Sequence, residues 1–123
     1  MDLKGVLAKC RGLPGATEGF PFGEGTPVFK VGGRIFAIVS TDARSSSVSL
    51  KCDPGYGVAL REQYPAVSAG YHLNKRHWNT VLLDGSVPDD ALEEWIRDSY
   101  DLVVASLSRA ERLTIAHDAR RRR

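Results

Sequence analysis

The densest run of chemically capable side chains is Tyr71-His72-Leu73-Asn74-Lys75-Arg76-His77-Trp78-Asn79, in which every residue but Leu73 carries a hydrogen-bonding or charged group. It lies across a strand–turn–strand pattern, which sets Lys75, Arg76 and His77 at the tip of a β-ribbon with Tyr71 and Trp78 flanking them. Cations at such a tip neutralise phosphates, and neighbouring rings stack on bases or enter a groove. Polar residues are also the ordinary content of a hairpin tip, with Trp78 then anchoring the core. A second basic turn is Lys30-Val31-Gly32-Gly33-Arg34. Glycines without side chains let a backbone approach a phosphate closely, although a solvated turn has the same composition. Lys51, on an alternating strand, adds another cation.

Other chemistries lack their residues. His72 and His77 stand five apart, with Cys52 or His117 as the remaining donors, and no CxxC or HExxH accompanies them, so no metal site is expected. There is no GxSxG, and Gly19, Gly23 and Gly25 are interrupted by Phe20, Pro21, Phe22 and Pro27 with no lysine where a phosphate loop needs one. The expectation is a protein without catalytic residues or cofactor. Arg120 to Arg123 form a cationic tail that would bind any polyanion with little sequence preference, and whose like charges favour disorder.

The elements that must position these residues follow from periodicity. Leu3, Val6, Leu7 and Cys10 keep one-face helical spacing, Asp2 caps that helix and Gly12-Leu13-Pro14-Gly15 ends it. Strands follow at Thr17–Phe22, at 27–31 and at 34–39, and Gly32-Gly33 between the latter two is a hairpin signal. Residues 47–52 alternate as a further strand. Asp53-Pro54 opens a short helix over 54–63, then strands run at Val67–Leu73 and Trp78–Leu83. From Pro88 the positions Leu92, Trp95, Ile96, Leu102, Val103 and Leu107 form the apolar stripe of the strongest helix. Ser99-Tyr100-Asp101 reads as a polar helix face meeting the sheet. Residues 109–123 extend as a short helix fraying into the tail.

Length and charge bound the rest. The chain has 123 residues, 42% hydrophobic and 26% charged, enough for one globular domain with its own core. Its net charge of +2 is unevenly built: +4 over residues 1–83, −6 over 84–119 and +4 in the last four arginines. No apolar run is long enough for a membrane span, and no signal-peptide pattern opens the chain. Two cysteines without a CxxC pair make a reducing cytoplasm the expected compartment.

Gly70-Tyr71-His72-Leu73-Asn74-Lys75-Arg76-His77-Trp78-Asn79-Thr80-Val81, followed by Asp84-Gly85 and Pro88, resembles the central signature of the MmcQ/YjbR family of small bacterial proteins. Ser99-Tyr100-Asp101-Leu102-Val103-Val104, Pro21-Phe22-Gly23, Val28-Phe29-Lys30-Val31 and Leu50-Lys51-Cys52-Asp53 resemble its other conserved parts. The likeness spans residues 2–108, so residues 1–108 are taken as the domain and 109–123 as an extension outside it. It implies an α+β fold, α-β(3)-α-β(2)-α, with helices packed on an antiparallel sheet of frataxin-like or secretion-chaperone-like shape. It also implies a double-wing DNA-binding role, with wings near Val31–Arg34 and Leu73–Trp78. Lys75, Arg76, His77, Lys30, Arg34 and Lys51 would then meet phosphate, Asn74 and Asn79 a base edge or sugar, and His72 and Trp78 would lie beside them. The alternative is a protein- or peptide-binding module using the sheet face or edge, with Phe20, Phe22, Phe29 and Phe36 as candidate aromatics.

Overall fold

The computed structural model describes residues 1–42, 44–70 and 73–121. The elements run α1 (Leu3–Gly12), β1 (Thr17–Gly19), β2 (Val28–Val31), β3 (Arg34–Ser40), β4 (Ser47–Lys51), α2 (Pro54–Gln63), β5 (Val67–Ala69), β6 (Trp78–Leu82), α3 (Asp89–Ala105) and α4 (Arg109–Arg121). The fold is α+β, as expected, and it contains more elements than the order α-β(3)-α-β(2)-α. Four strands precede α2 where that order has three: the strand expected at Thr17–Phe22 is present but ends at Gly19, pairing with Val28–Lys30. The extension beyond residue 108 is helical, as its sequence suggested, and the helix runs on through Arg121, into the arginines expected to fray. Its start is a capping box: the Ser108 amide donates to Glu111 Oε1 at 3.0 Å, and the Glu111 amide donates to Ser108 Oγ at 3.1 Å.

The six strands form one antiparallel sheet in the order β1-β2-β3-β4-β6-β5. Side chains alternate across a sheet, and the register assigns them to two faces. One face carries Phe29, Ala37, Val39, Val48, Leu50, Val81 and Val67, all buried. Val6 and Cys10 of α1 and Leu92, Trp95, Ile96, Tyr100 and Val103 of α3 complete this core. The opposite face carries Lys30, Ile38, Ser49, Lys51, Trp78, Thr80 and Ser68. There Ser49 and Thr80 share a cross-strand hydrogen bond at 2.8 Å.

Two irregularities shape the end of the sheet that matters for the site. In the β2–β3 ladder Phe29 faces Ala37 and Lys30 faces Ile35, so Phe36 is the extra residue of a bulge. The bulge turns the Phe36 ring into the core, 5.4 Å from Tyr100 in an edge-to-face arrangement. The β3–β4 ladder ends at Ala37 and Leu50, so the next pair, Phe36 and Lys51, is splayed. Ser99 of α3 fills the gap: its hydroxyl donates to the Phe36 carbonyl at 2.6 Å and accepts from the Lys51 amide at 2.9 Å.

Ser99 and Tyr100, rather than Leu102, therefore complete the buried stripe of α3, while Leu102 stays 38% exposed. At 100° per residue Leu102 falls on the edge of the stripe, on the flank that looks toward α2.

Candidate functional site: one end of the sheet and the cleft behind it

Both basic turns leave the same end of the sheet. Strand directions require it: β4 ends at Lys51 where β6 begins at Trp78, and the β2–β3 turn lies at that end as well. The hairpin midlines are separated by β4, about three strand spacings or roughly 14 Å. Lys30 and Lys51 are the only charged residues that alternation assigns to the uncovered face of the described strands. The carboxylates of α3 lie on the helix side, opposite Lys30 and Lys51, whereas Arg34 shares the helix side, beside Ser106 and near Glu111.

The first turn has the geometry its glycines predict. Gly32 (φ 58°) and Gly33 (φ 77°) are both left-handed, as a type I′ turn requires. The tip is not bare, however. A Cβ on Gly32 would stand 2.6 Å from Leu107 Cδ1, whereas one on Gly33 would meet nothing within 4 Å. The α3–α4 junction thus packs on the base of this turn, and Arg34 Nη1 donates to Ser106 Oγ at 3.4 Å. Gly32→Ala is expected to destabilise the fold by about 2 kcal/mol, against about 1 kcal/mol for Gly33→Ala. Urea denaturation of the pair checks the difference.

The second turn is organised by Asn74. Its carbonyl accepts from the His77 and Trp78 amides at 3.1 and 3.0 Å, and its Oδ1 accepts from the Arg76 amide at 3.0 Å. These bonds hold Lys75 and Arg76 outward as exposed residues. The His77 carbonyl accepts from the Cys52 amide at 2.8 Å, tying the turn to the end of β4. At its root, a Cβ on Gly70 would lie 2.8 Å from Trp78 Cβ and 3.2 Å from Trp78 O, so only glycine lets the two strands approach there. The expected strand Val67–Leu73 is shorter, ending at Ala69. Tyr71 and His72 lie outside the described residues.

Two residues assigned to DNA contact take other parts. Asn79 is 3% exposed and alternates to the helix side. Its Oδ1 accepts from Arg61 Nη1 at 2.7 Å, and its Nδ2 donates to Gly57 O at 3.2 Å. It joins α2 to the sheet and is not on the ribbon's exterior. Asn74 spends its Oδ1 inside its own turn. Lys75, Arg76 and Arg34 are exposed, while Lys30, Lys51, His77 and Trp78 are partly so. Composition could not separate Asn79 from its neighbours, because burial there depends on which face the β4–β6 register selects.

Behind this end of the sheet a cleft of about 350 Å³ opens between α2 and α3. Its floor is Leu50, Val67 and Val81, and Leu60, Trp95 and Leu102 form its walls. Asp53, Asp98 and Asp101 also line it. Asp53 holds the N-cap position of α2, as expected, but makes no side-chain capping bond. Burial, with Glu94 and Asp101 nearby, pushes the Asp98 carboxyl above the usual carboxylate range. Cys52, also on the lining, is raised by burial, and the buried Cys10 thiol is pushed up to about 12 by the same cause. Neither thiol is activated as a nucleophile. Among the described residues no group of three or more His, Cys, Asp or Glu is placed to hold a metal, and no helix is long and apolar enough to cross a membrane.

Comparison with known proteins agrees with this architecture. The chain is 35% identical over 112 residues to the uncharacterised protein YjbR of Escherichia coli K12, covering 91% of this chain and 95% of that one. It is 35% identical over 99 residues to the uncharacterised protein YbdF of Escherichia coli O157:H7, covering 80% and 81%. The crystal structure of Deinococcus radiodurans protein DR2400, described as a DUF419 domain, superposes with a TM-score of 0.86 at 40% identity, covering 94% of this chain and 88% of that one. A Pseudomonas syringae protein shares the fold at a TM-score of 0.73 and 21% identity, covering 84% and 99%. The YjbR family profile matches residues 11–102. That match spans the sheet, both basic turns and most of α3, and with these relatives it places the chain in the YjbR family.

Proposed function

We propose that the protein is a non-catalytic DNA-binding module whose two basic hairpins contact the sugar–phosphate backbone. The observation that carries this reading is the emergence of both turns from one end of the sheet, with Lys51 between them and the acidic flank of α3 on the other side. Lys75 and Arg76 form one contact, Arg34 and Lys30 the other, and His77 and Trp78 border the first. Hairpin tips roughly 14 Å apart correspond to about four base-pair steps along a duplex. Contacts of this kind set position and read little sequence.

Fluorescence anisotropy with duplex DNA at several salt concentrations tests the reading. Four or five phosphate contacts give a slope of log affinity against log salt near −4, at about −0.9 per contact. Lys75→Ala with Arg76→Ala should flatten the slope by about 1.8 and weaken binding roughly tenfold at moderate salt. Unchanged binding in the double variant rejects the wing reading. Loss of binding only when Arg120 to Arg123 become serine assigns the affinity to the tail.

A second reading is supported by one observation. Phe20 and Phe22, on the loop after the edge strand β1, are 50% and 66% exposed. Exposed rings beside a short sheet edge suit a protein or peptide partner. Loss of a co-purifying partner in Phe20→Ser with Phe22→Ser, but not in the Lys75/Arg76 variant, would favour it over DNA.

A further inference from the structure

The cleft between α2 and α3 is a feature that the DNA reading leaves unused. A volume of about 350 Å³ lies within the range of small-molecule sites, about 300–1,000 Å³. Pockets of that class combine an apolar body with a few convergent polar groups. Here the sheet supplies an aliphatic floor, and Trp95 and Leu102 supply one wall.

Around Asp98 the charge is negative, with Glu94 and Asp101 as its charged neighbours. Asp101 is paired with Arg97 at 3.1 Å on the exposed surface of α3. Arg61, the cation behind the cleft, is bonded to Asn79. Lys51 lines the cleft, but alternation with Leu50 assigns its side chain to the opposite face of the sheet. Asp98 and Asp53 are left without a salt-bridge partner among the described residues. An apolar cavity with carboxylates at its side attracts a cation that carries an apolar group, and disfavours an anion of the same shape.

We propose that this cleft is a binding site for a small amphipathic amine, with the ammonium against Asp98 and the apolar body on Leu50, Val81 and Trp95. Burial, then Glu94 and Asp101, raise the Asp98 carboxyl, which agrees with a place for a positive charge at that point of the cleft. The site does not depend on the DNA reading, since neither Lys75 nor Arg76 lines it.

Two commercial probes of matched size and opposite charge, phenylbutylamine and phenylbutyrate, test it by titration of the isotope-labelled full chain under two-dimensional NMR. Phenylbutylamine should shift the Trp95 indole, Asn79 side-chain and Leu102 signals saturably, and phenylbutyrate should bind at least fivefold more weakly. Asp98→Asn, at a partly exposed position, should fold normally and lose most of that preference. Leu102→Trp, which fills the mouth from an exposed position, should abolish binding of both probes. Equal binding of the two probes, binding unaffected by Asp98→Asn, or no shifts at Trp95 would each overturn the proposal. The Lys75/Arg76 variant should bind the amine like the parent, which separates failure of this site from failure of the DNA reading.

Discussion

Phe36→Ala is expected to cost about 3–5 kcal/mol, the usual range for removing a fully buried aromatic side chain. The ring is 0% exposed. It lies 6.3 Å from Phe29 and 5.4 Å from Tyr100 between ring centroids, and it enters the core through the bulge in β3. Alanine there leaves a cavity under α3 where the sheet and helix meet, and the bulge prevents the neighbouring strands from closing over it. Domains are stable by only about 5–15 kcal/mol, so this one change removes a large share of the total. A urea midpoint lowered by about 2 M with unchanged slope is the expected reading. Phe22→Ala provides the contrast. Its ring is 66% exposed, and the variant should stay within about 0.5 kcal/mol of the parent. Similar losses for the two variants would contradict the packing described.

Ser99→Ala is expected to cost about 2–4 kcal/mol while removing a single oxygen. That hydroxyl serves two backbone groups at once, the Phe36 carbonyl and the Lys51 amide. Both sit where the β3–β4 ladder has opened, so neither finds its usual strand partner. A buried backbone group left without a hydrogen bond costs about 1–3 kcal/mol. Loss of one bridging hydroxyl therefore costs more than an ordinary serine deletion. Hydrogen exchange gives the specific reading: the Lys51 amide should exchange faster in Ser99→Ala, beyond the change at amides within the β4–β6 ladder. A uniform change across the sheet would point to simple destabilisation instead. The Ser99 variant also bears on the site, because the splay that Ser99 bridges borders the cleft through Leu50 and Lys51.

Much of this architecture is legible in local pattern. Gly32-Gly33 between apolar runs specifies a hairpin because a type I′ turn needs two left-handed residues. Asp2 caps α1 through Gly5 at 2.9 Å, as a carboxylate ahead of an apolar-periodic run should. Pro54 opens α2 because the first helical turn has no use for its missing amide hydrogen. The basic composition of both turns was equally plain. The capping box at Ser108 and Glu111 was also there to be read, and it fixes where α4 begins.

What the sequence by itself determined is the inventory: the α+β class, the two basic turns, the acidic third helix and the family. The reason is that turns, caps and alternation are short-range constraints, settled among residues a few positions apart. Tertiary structure alone decided which of those residues share a surface. Register between β4 and β6, set by sheet pairing far apart in the chain, turned Asn79 inward to Arg61 and Gly57 while leaving Lys51 on the outer face. The antiparallel order brought residues 30–34 and 73–78 to one end of the sheet, although more than forty positions of sequence separate Arg34 from Lys75. The cleft was invisible for the same reason, since Asp53, Asn79 and Asp98 converge only when α2 and α3 each pack on the sheet and leave a gap between them.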